Sequence, residues 1–448
     1  MIPTRALRDC LDGVIPGVVS TCAPDGTPNV AYMSQGQYLD DQHLALSYQF
    51  FNRTRQNLLA NPRVTLGLIH PQTAQQYRVH LVYERTETSG PVFESMKAKL
   101  AGIASHTGMS GVFRLLGSDI YRIERSEVVP GSTLPAQPPA VDPLLALRTC
   151  MARLPQSPDA ESLLDALLDG LQAHFRIEHA LVMMLDPGRD RLYTVASRGY
   201  PASGVGSELR LGDGVIGVAA RERSPIRISH MTSEYAYGLA QREGAERRGL
   251  GDLLETEIPF PGLAAPGSQL AVPIPGAREP IGVLFVESPT EMRFTHADED
   301  ALVALATQVG GLFRLFLAEL ELGEESQPAG GREPRPDGVP LRVRHYAAND
   351  SVFLGDDYLI KGVAGNILWT LLQDHQALGR TQFSNRELRA DPRVRLPDQS
   401  DNLEARLVLL HRRLAERRAC VQLEKTGRGR FRLLVARPLE LEDMDSGA

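Results

Sequence analysis

Three groups of residues in this chain have types and spacing suited to chemistry. The first is Phe51-Asn52-Arg53-Thr54-Arg55-Gln56-Asn57-Leu58, closed by Asn61-Pro62. It follows a β-type run and opens a short helical stretch. Free backbone N–H groups and the positive end of the helix dipole hold a phosphate at such a junction, and an arginine adds a forked pair of donors. The same residues equally suit a capped, solvated surface helix. The second group lies towards the C-terminus. Leu403, Leu407, Leu410 and Leu414 recur at helical spacing and make one buried face. Asn402, Arg406, Arg413 and Arg417 line up beside that face, a stripe of the kind a helix presents to base edges in a DNA groove. Lys425, Arg428, Arg430 and Arg432 then decorate a hairpin hinged on Gly427 and Gly429, suited to straddling phosphates. The third group is dispersed. His43, His70, His80 and His106 in the first part, and His174, His179, His230 and His296 in the middle, can each ligate haem or a metal. The ordinary reading of each is a surface or capping residue. No Ser-His-Asp set, Walker loop, HExxH or nucleotide-cyclase signature occurs, so no catalytic residue is assigned. Cys10, Cys22, Cys150 and Cys420 have neither metal-ligand nor disulfide-framework spacing, so no metal site is expected.

The elements that would position these groups fall into three segments. Two stretches read as linkers because proline and glycine replace apolar periodicity: PGSTLPAQPPAVDP and GEESQPAGGREPRPDGVP. The boundaries follow as 1–130, a linker at 131–144, 145–322, a linker at 323–340, and 341–440. Segment one is mostly β. Strands are expected at 17–22, 29–33, 44–50, 64–69, 77–85 and 120–129, with the Asp25-Gly26 turn between the first two and helices at 53–60 and 90–104. Segment two mixes types: a helix at 162–175, strands at 180–185, 191–196, 270–274 and 281–287, a helix-like stretch at 215–221, and a long amphipathic helix at 296–322. Segment three runs through short strands, a helix at 363–373, a capping box Ser384-Asn385-Arg386-Glu387, a helix at 402–418 opened by Asp401, and a hairpin over 420–436.

Charge is unevenly shared. The chain carries −7 overall, but 341–440 holds 18 Lys and Arg against 12 Asp and Glu, a net of +6, leaving −13 on the remainder. Any nucleic-acid contact therefore belongs to the C-terminal module. The run 14–19 is broken by Pro16 and Gly17 and is too short for a signal peptide. No apolar stretch reaches membrane-helix length. A cytoplasmic protein without membrane contact is expected.

The layout over 17–30, 44–62 and 76–85 resembles the pyridoxamine-phosphate-oxidase-like FMN-binding split barrels across essentially the whole first segment. The resemblance implies FMN as cofactor, with Ser47 and Tyr48 at the strand end and Asn52, Arg53 and Thr54 at the phosphate turn. It implies that Gln76 is offered near the flavin of the partner in a homodimer. Thr54 stands in place of that family's Lys, and Leu81 where the oxidase has Gly. The glycine turn Gly212-Asp213-Gly214, the strand pair near 270–287 and the long helix resemble GAF domains over nearly all of 145–320, which implies a small-molecule ligand. The absence of Cys between Cys150 and Cys420 argues against a thioether-linked bilin. Leu305, Val309, Leu312, Phe316 and Leu320 form a stripe on the long helix, fit either to pair with a second copy or to pack on its own sheet. The order of elements in 341–437 resembles the OmpR-type winged helix, although Val408 and Leu409 stand where that family's recognition helix carries polar or basic residues. The helix then serves either DNA or a protein contact. The expected fold class is multidomain: a β split barrel, an α/β GAF domain with an antiparallel sheet, and an α+β winged helix. The expected function is a sensor and transcriptional regulator in which FMN or another small molecule controls the C-terminal output. The alternatives are an FMN-dependent oxidoreductase with a regulatory GAF module, a haem-binding split barrel, and a non-catalytic scaffold.

Overall fold

A computed structural model describes the chain except residues 1, 34, 50–51, 107–113, 136–140, 187, 189, 231–257, 323–337, 395, 397–402, 428 and 445–448, and side chains at 105–106 and 317–322. Both expected linkers lie partly outside the described residues. Among the described residues no helix is long and apolar enough to cross a membrane.

The first unit holds β1 (Gly17–Cys22), β2 (Pro28–Met33), β3 (Gly36–Tyr38), β4 (His43–Tyr48), α1 (Arg53–Ala60), β5 (Arg63–Ile69), β6 (Gln76–Glu87), α2 (Pro91–His106) and β7 (Gly117–Val129). The strands make an antiparallel sheet in the order β2-β1-β5-β6-β7-β4-β3. Bulges at His80/Leu81 and Tyr83/Arg85 bend the long β6, as an extra residue in one strand does, and the sheet curls around a core. That core holds Leu44, Leu46, Leu66, Leu68, Val79 and Leu81, plugged by Leu7 and Leu11 from the Thr4–Cys10 turn. Leu81 is fully buried there, so the side chain that replaces the oxidase glycine fills the barrel interior.

The second unit contains α3 (Pro143–Arg153), α4 (Ala160–Phe175), β8 (His179–Asp186), β9 (Arg191–Arg198), β10 (Glu208–Arg210), α5 (Gly214–Glu222), β11 (Ile226–Ile228), β12 (Ser268–Pro275), β13 (Pro280–Ser288) and α6 (His296–Leu322). Its sheet is antiparallel, ordered β10-β9-β8-β13-β12-β11. α3, α4 and α6 cover one face through Leu163, Leu167, Leu171, Leu302, Leu305 and Val309. Leu305 and Val309 pack within this unit, Phe316 also faces C-terminal residues, and the Leu320 side chain lies outside the described residues. α5 covers the other face. It approaches so closely that a Cβ on Gly217 would lie 2.5 Å from the Arg210 carbonyl oxygen.

The third unit is β14 (Leu341–Tyr346), β15 (Ser351–Leu354), β16 (Asp357–Ile360), α7 (Gly362–Leu378), β17 (Gln382–Ser384), α8 (Asn385–Ala390), α9 (Leu403–Glu416), β18 (Val421–Gly427), β19 (Arg430–Val435) and β20 (Leu439–Met444). Two sheets frame three helices: β16-β15-β14-β20, with β14 and β20 parallel, and β17-β19-β18. Ser384 and Glu387 form the expected reciprocal cap of α8.

The units are packed together. α2 of the barrel lies on α5 and β11, where a Cβ on Gly102 would meet Ile226 at 2.5 Å. Beside this contact Arg227 is almost wholly buried. It donates at 2.8 Å to both Asp12 of the barrel and Glu299 of α6. Arg8 pairs in parallel with Asp300. Burial works against the charge on Asp12, but His296 and Arg227 outweigh it and hold the carboxyl at about 2. Replacing Arg227 by Met strands the buried Glu299 carboxylate and leaves Asp12 to His296 alone, so Arg227→Met is expected to cost about 3–5 kcal/mol in urea unfolding of the full chain. A loss below 1 kcal/mol would show that the clamp carries no net stability.

Candidate functional site

The first candidate is the mouth of the barrel at α1. Asn52 caps the helix by accepting from the Arg55 N–H at 3.1 Å. Asn29 of β2 donates to Thr54 Oγ1 at 2.9 Å, and Asn57 donates to Thr21 at 3.2 Å. These bonds fix the helix start against the edge of the sheet. Arg53 is exposed and makes no ion pair among the described residues. The Asn52 amide, the Thr54 hydroxyl and the Arg53 guanidinium are therefore donors available beside a helix N-terminus, a set that fits a phosphate group. Ser47 and Tyr48 end β4 opposite Ser118 and Gly117. Gln76 lies elsewhere. It opens β6, whereas Glu87 at the other end of that strand pairs with Ser118. Eleven residues at about 3.3 Å each separate the two ends. One chain does not unite Gln76 with the other five residues.

Sequence reasoning missed Arg55. Its guanidinium is gripped by both oxygens of the buried Asp119 at 2.7 Å, donates to Thr86 at 2.8 Å, and lies 4.4 Å over the Tyr48 ring. Burial works against its charge, but Asp119 overrides that effect and raises its pKa above the ordinary value. Arg55 thus ties α1 to β6 and β7 and orients Tyr48. Its partners stand 31 and 64 residues away, beyond the reach of any local pattern.

Among the described residues these histidines do not gather into one metal or haem site. His43 pairs with Asp40, His80 with Glu127 and His230 with Glu291. His70 accepts backbone N–H bonds, and the His106 side chain lies outside the described residues. His174 and His179 each keep a buried ring nitrogen without a hydrogen bond; the His179 ring lies 5.5 Å from that of Tyr200. Asp9, Asp12 and His296 bring ligand atoms within 4.8 Å of one another. Arg227 stands at 2.8 Å from Asp12 and 2.9 Å from His296, so a guanidinium already occupies the place a cation would take.

The second candidate is α9 with the β18–β19 hairpin, and here the structure corrects an expectation. Arg406 and Arg413 do not line a free groove-facing stripe; they are 4% and 5% exposed. Arg406 reaches Asp186 of β8 at 3.1 Å and lies 4.2 Å over the Tyr193 ring. Arg413 donates to the Leu359 carbonyl at 3.1 Å and pairs with Glu416. Val408 and Leu409 are buried as well, so this face of α9 serves a protein contact within the chain. Arg417 is exposed, Arg430 is exposed on the hairpin, and Asn402 and Arg428 lie outside the described residues.

The contact combines a shared apolar core with pairs of opposite charge. Glu161, in the first turn of α4, pairs with His411 at 2.9 Å and Lys425 at 2.7 Å. Arg412 reaches Asp165, Lys425 also reaches Asp159, and Lys361 reaches Glu208. Ser203 donates to Glu416. A sequence signal existed, since the basic segment faces an acidic body. Part of that charge is satisfied internally. Burial alone would raise the Glu161 pKa, but His411 and Lys425 hold it at about 2. Its stabilisation is therefore complete above the ordinary value of 4.5 and lost as pH falls towards 2. Glu161→Gln, which mimics the protonated acid, is expected to lower stability on the order of 2–3 kcal/mol at pH 6. That deficit should shrink between pH 4.5 and 2. A deficit constant with pH in paired urea titrations would exclude the charge mechanism.

Comparison with known proteins divides the chain likewise. Residues 3–118 match the family described as pyridoxamine 5'-phosphate oxidase, and residues 157–313 match the GAF domain family. The GAF domain of an Acinetobacter phosphoenolpyruvate-protein phosphotransferase is similar at 23% identity over 39% of this chain and 94% of its own, with a TM-score of 0.31. Group A Streptococcus HupZ is similar at 21% identity over 30% of this chain and 100% of its own, with a TM-score of 0.24. An FMN-binding protein from Syntrophomonas wolfei is similar at 16% identity over 28% and 88%, also with a TM-score of 0.24. No curated protein matches the chain. The chain carries a pyridoxamine-phosphate-oxidase-like split-barrel domain followed by a GAF domain.

Proposed function

We propose that this chain is a one-component regulator: the split barrel and GAF domain receive a flavin or other small-molecule signal, and the C-terminal unit, of winged-helix type, is the output. The observation that carries this reading is the docking of α9 on the GAF domain. A basic helix and hairpin, in the order expected of a DNA-binding module, are held by Asp186, Glu161 and Asp165. Carboxylates in those positions occupy the cations that phosphates or bases would otherwise take. A ligand that favours the undocked conformer would free them.

FMN fits the barrel mouth. Arg53, the Thr54 hydroxyl and the Asn52 amide would take its phosphate, and Ser47 and Tyr48 would lie alongside. Bound FMN supplies a redox-active ring system; the chain supplies the cradle and, through Arg55 and Asp119, the orientation of Tyr48. The remoteness of Gln76 fits a site completed by a second copy. Edge strand β2 leaves Tyr32 82% and Val30 66% exposed beside Asn29, a surface that a homodimer would cover. A second reading is favoured by the burial of Val408 and Leu409: α9 is a permanent intramolecular contact, and the chain is an interaction scaffold.

Arg53→Ala is expected to weaken FMN by about 1.5–3 kcal/mol, the scale of a charge-assisted hydrogen bond. Unchanged affinity in fluorescence titration would remove Arg53 from the site. For the output, genomic fragments are selected at physiological salt with the full-length protein and with a Glu161→Gln/Asp186→Asn variant that weakens docking. Enrichment should be stronger for the variant. Adding Arg430→Ala should flatten the logarithmic salt dependence by about one unit, as expected for one lost phosphate contact. If neither protein enriches any sequence, the scaffold reading stands.

A further inference from the structure

The docked units form an open-sided cavity that neither builds alone. It measures about 450 Å³ and lies between the start of α4, α6, α9 and the β18–β19 hairpin. That is the size of a small-ligand site and far above what a trapped water needs. Phe316 comes from the GAF domain, while Leu407, Val408, Leu423 and Phe431 come from the C-terminal unit. The cavity is on the sheet face covered by α4 and α6, away from α5 and away from the barrel mouth.

The rim fixes the charge of an occupant. Asp159 and Glu161 are matched by Lys425 and His411. Glu404 accepts from Asn385 at 2.8 Å and pairs with Arg389 at 3.4 Å. Arg430 also lines the cavity and has no ion pair among the described residues. The walls are apolar and the cation without a counter-charge is a guanidinium. An apolar body with one anionic group complements both.

We propose that this cavity is a binding site for a small apolar carboxylate, of aromatic or compact aliphatic type, and that its occupant locks the C-terminal unit onto the GAF domain. The direction follows from construction. Walls drawn from both units exist only when the units are docked, so the ligand binds that state alone and stabilises it by mass action. The site deepens the regulator reading, yet its existence does not depend on DNA binding.

The test uses the full-length protein saturated with FMN, with 2-naphthoate as the anionic probe and 2-naphthylmethanol as its neutral counterpart, titrated by calorimetry. Both should bind. Leu407→Trp and Ala160→Phe, which fill the cavity from opposite walls, should abolish binding of both; the two variants guard against one failing to fold. Arg430→Gln should weaken naphthoate about tenfold, one charge-assisted contact, and change naphthylmethanol less than twofold. Naphthoate should also slow amide hydrogen exchange in α4 and α9 of the unmodified chain. Absence of binding, or binding that survives both cavity-filling variants, overturns the site. Equal effects of Arg430→Gln on the two probes overturn the anionic class. Faster exchange in α4 and α9 overturns the locking role. A protein that binds naphthoate as stated but enriches no DNA keeps the site and loses only the transcriptional reading.

Discussion

Glu161 stands at the second position of α4, largely buried, with His411, Arg412 and Lys425 around it. A carboxylate taken out of water costs free energy unless its charge is met at close range. Among the described residues it is met by side chains of the C-terminal unit. The acidic start of α4 and the basic face of α9 each satisfy a need the other creates, and that pairing, with the apolar core the two units share, fixes how they dock. It places α9 on β8 and β9, buries Arg406 against Asp186 and Tyr193, and forms the open-sided cavity between the hairpin and Phe316.

The junction of barrel and GAF domain follows the same logic with the signs exchanged. A buried Arg227 of β11 is held by Asp12 of the barrel together with Glu299 of α6, next to an apolar contact in which a Cβ on Gly102 would press on the Ile226 side chain. Both junctions rest on charges that lose their compensation when the units separate. Such contacts are specific and adjustable: their strength depends on protonation and on competing ions more steeply than an apolar interface would. Contacts of this kind can be weakened by protonation or by competing ions without disturbing the core of either unit.

Local order was legible in the sequence wherever the controlling interactions are local. The helix over 53–60, the capping box at Ser384 and the long helix beginning at His296 were all expected and are present. Each depends on residues within a few positions: an N-cap, an apolar period, a following Asn-Pro. The short β3, the helix α3 directly after the Pro-rich stretch and the terminal β20 were not expected. Each is short or follows a breaker, and each depends on packing or pairing with other elements rather than on its own residues. β20, for example, is held by its parallel pairing to β14.

The candidate sites divide in the same way. Asn52, Arg53 and Thr54 could be grouped because the residues around a helix start are consecutive, and the structure keeps those three together. Arg55, one position on, was missed because its role comes from Asp119 and Thr86 across the barrel. The stripe of Arg406 and Arg413 was correctly placed on one helix, but its exposure was not a property of the helix. By itself the sequence determined most of the longer elements and a basic C-terminal end on an acidic body, since periodicity, capping and net charge are sums over neighbours. The tertiary structure alone decided which charges meet. Whether an arginine on a helix faces solvent, nucleic acid or a buried aspartate depends on the packing of a sheet more than 200 residues earlier in the chain, and no local pattern encodes that distance.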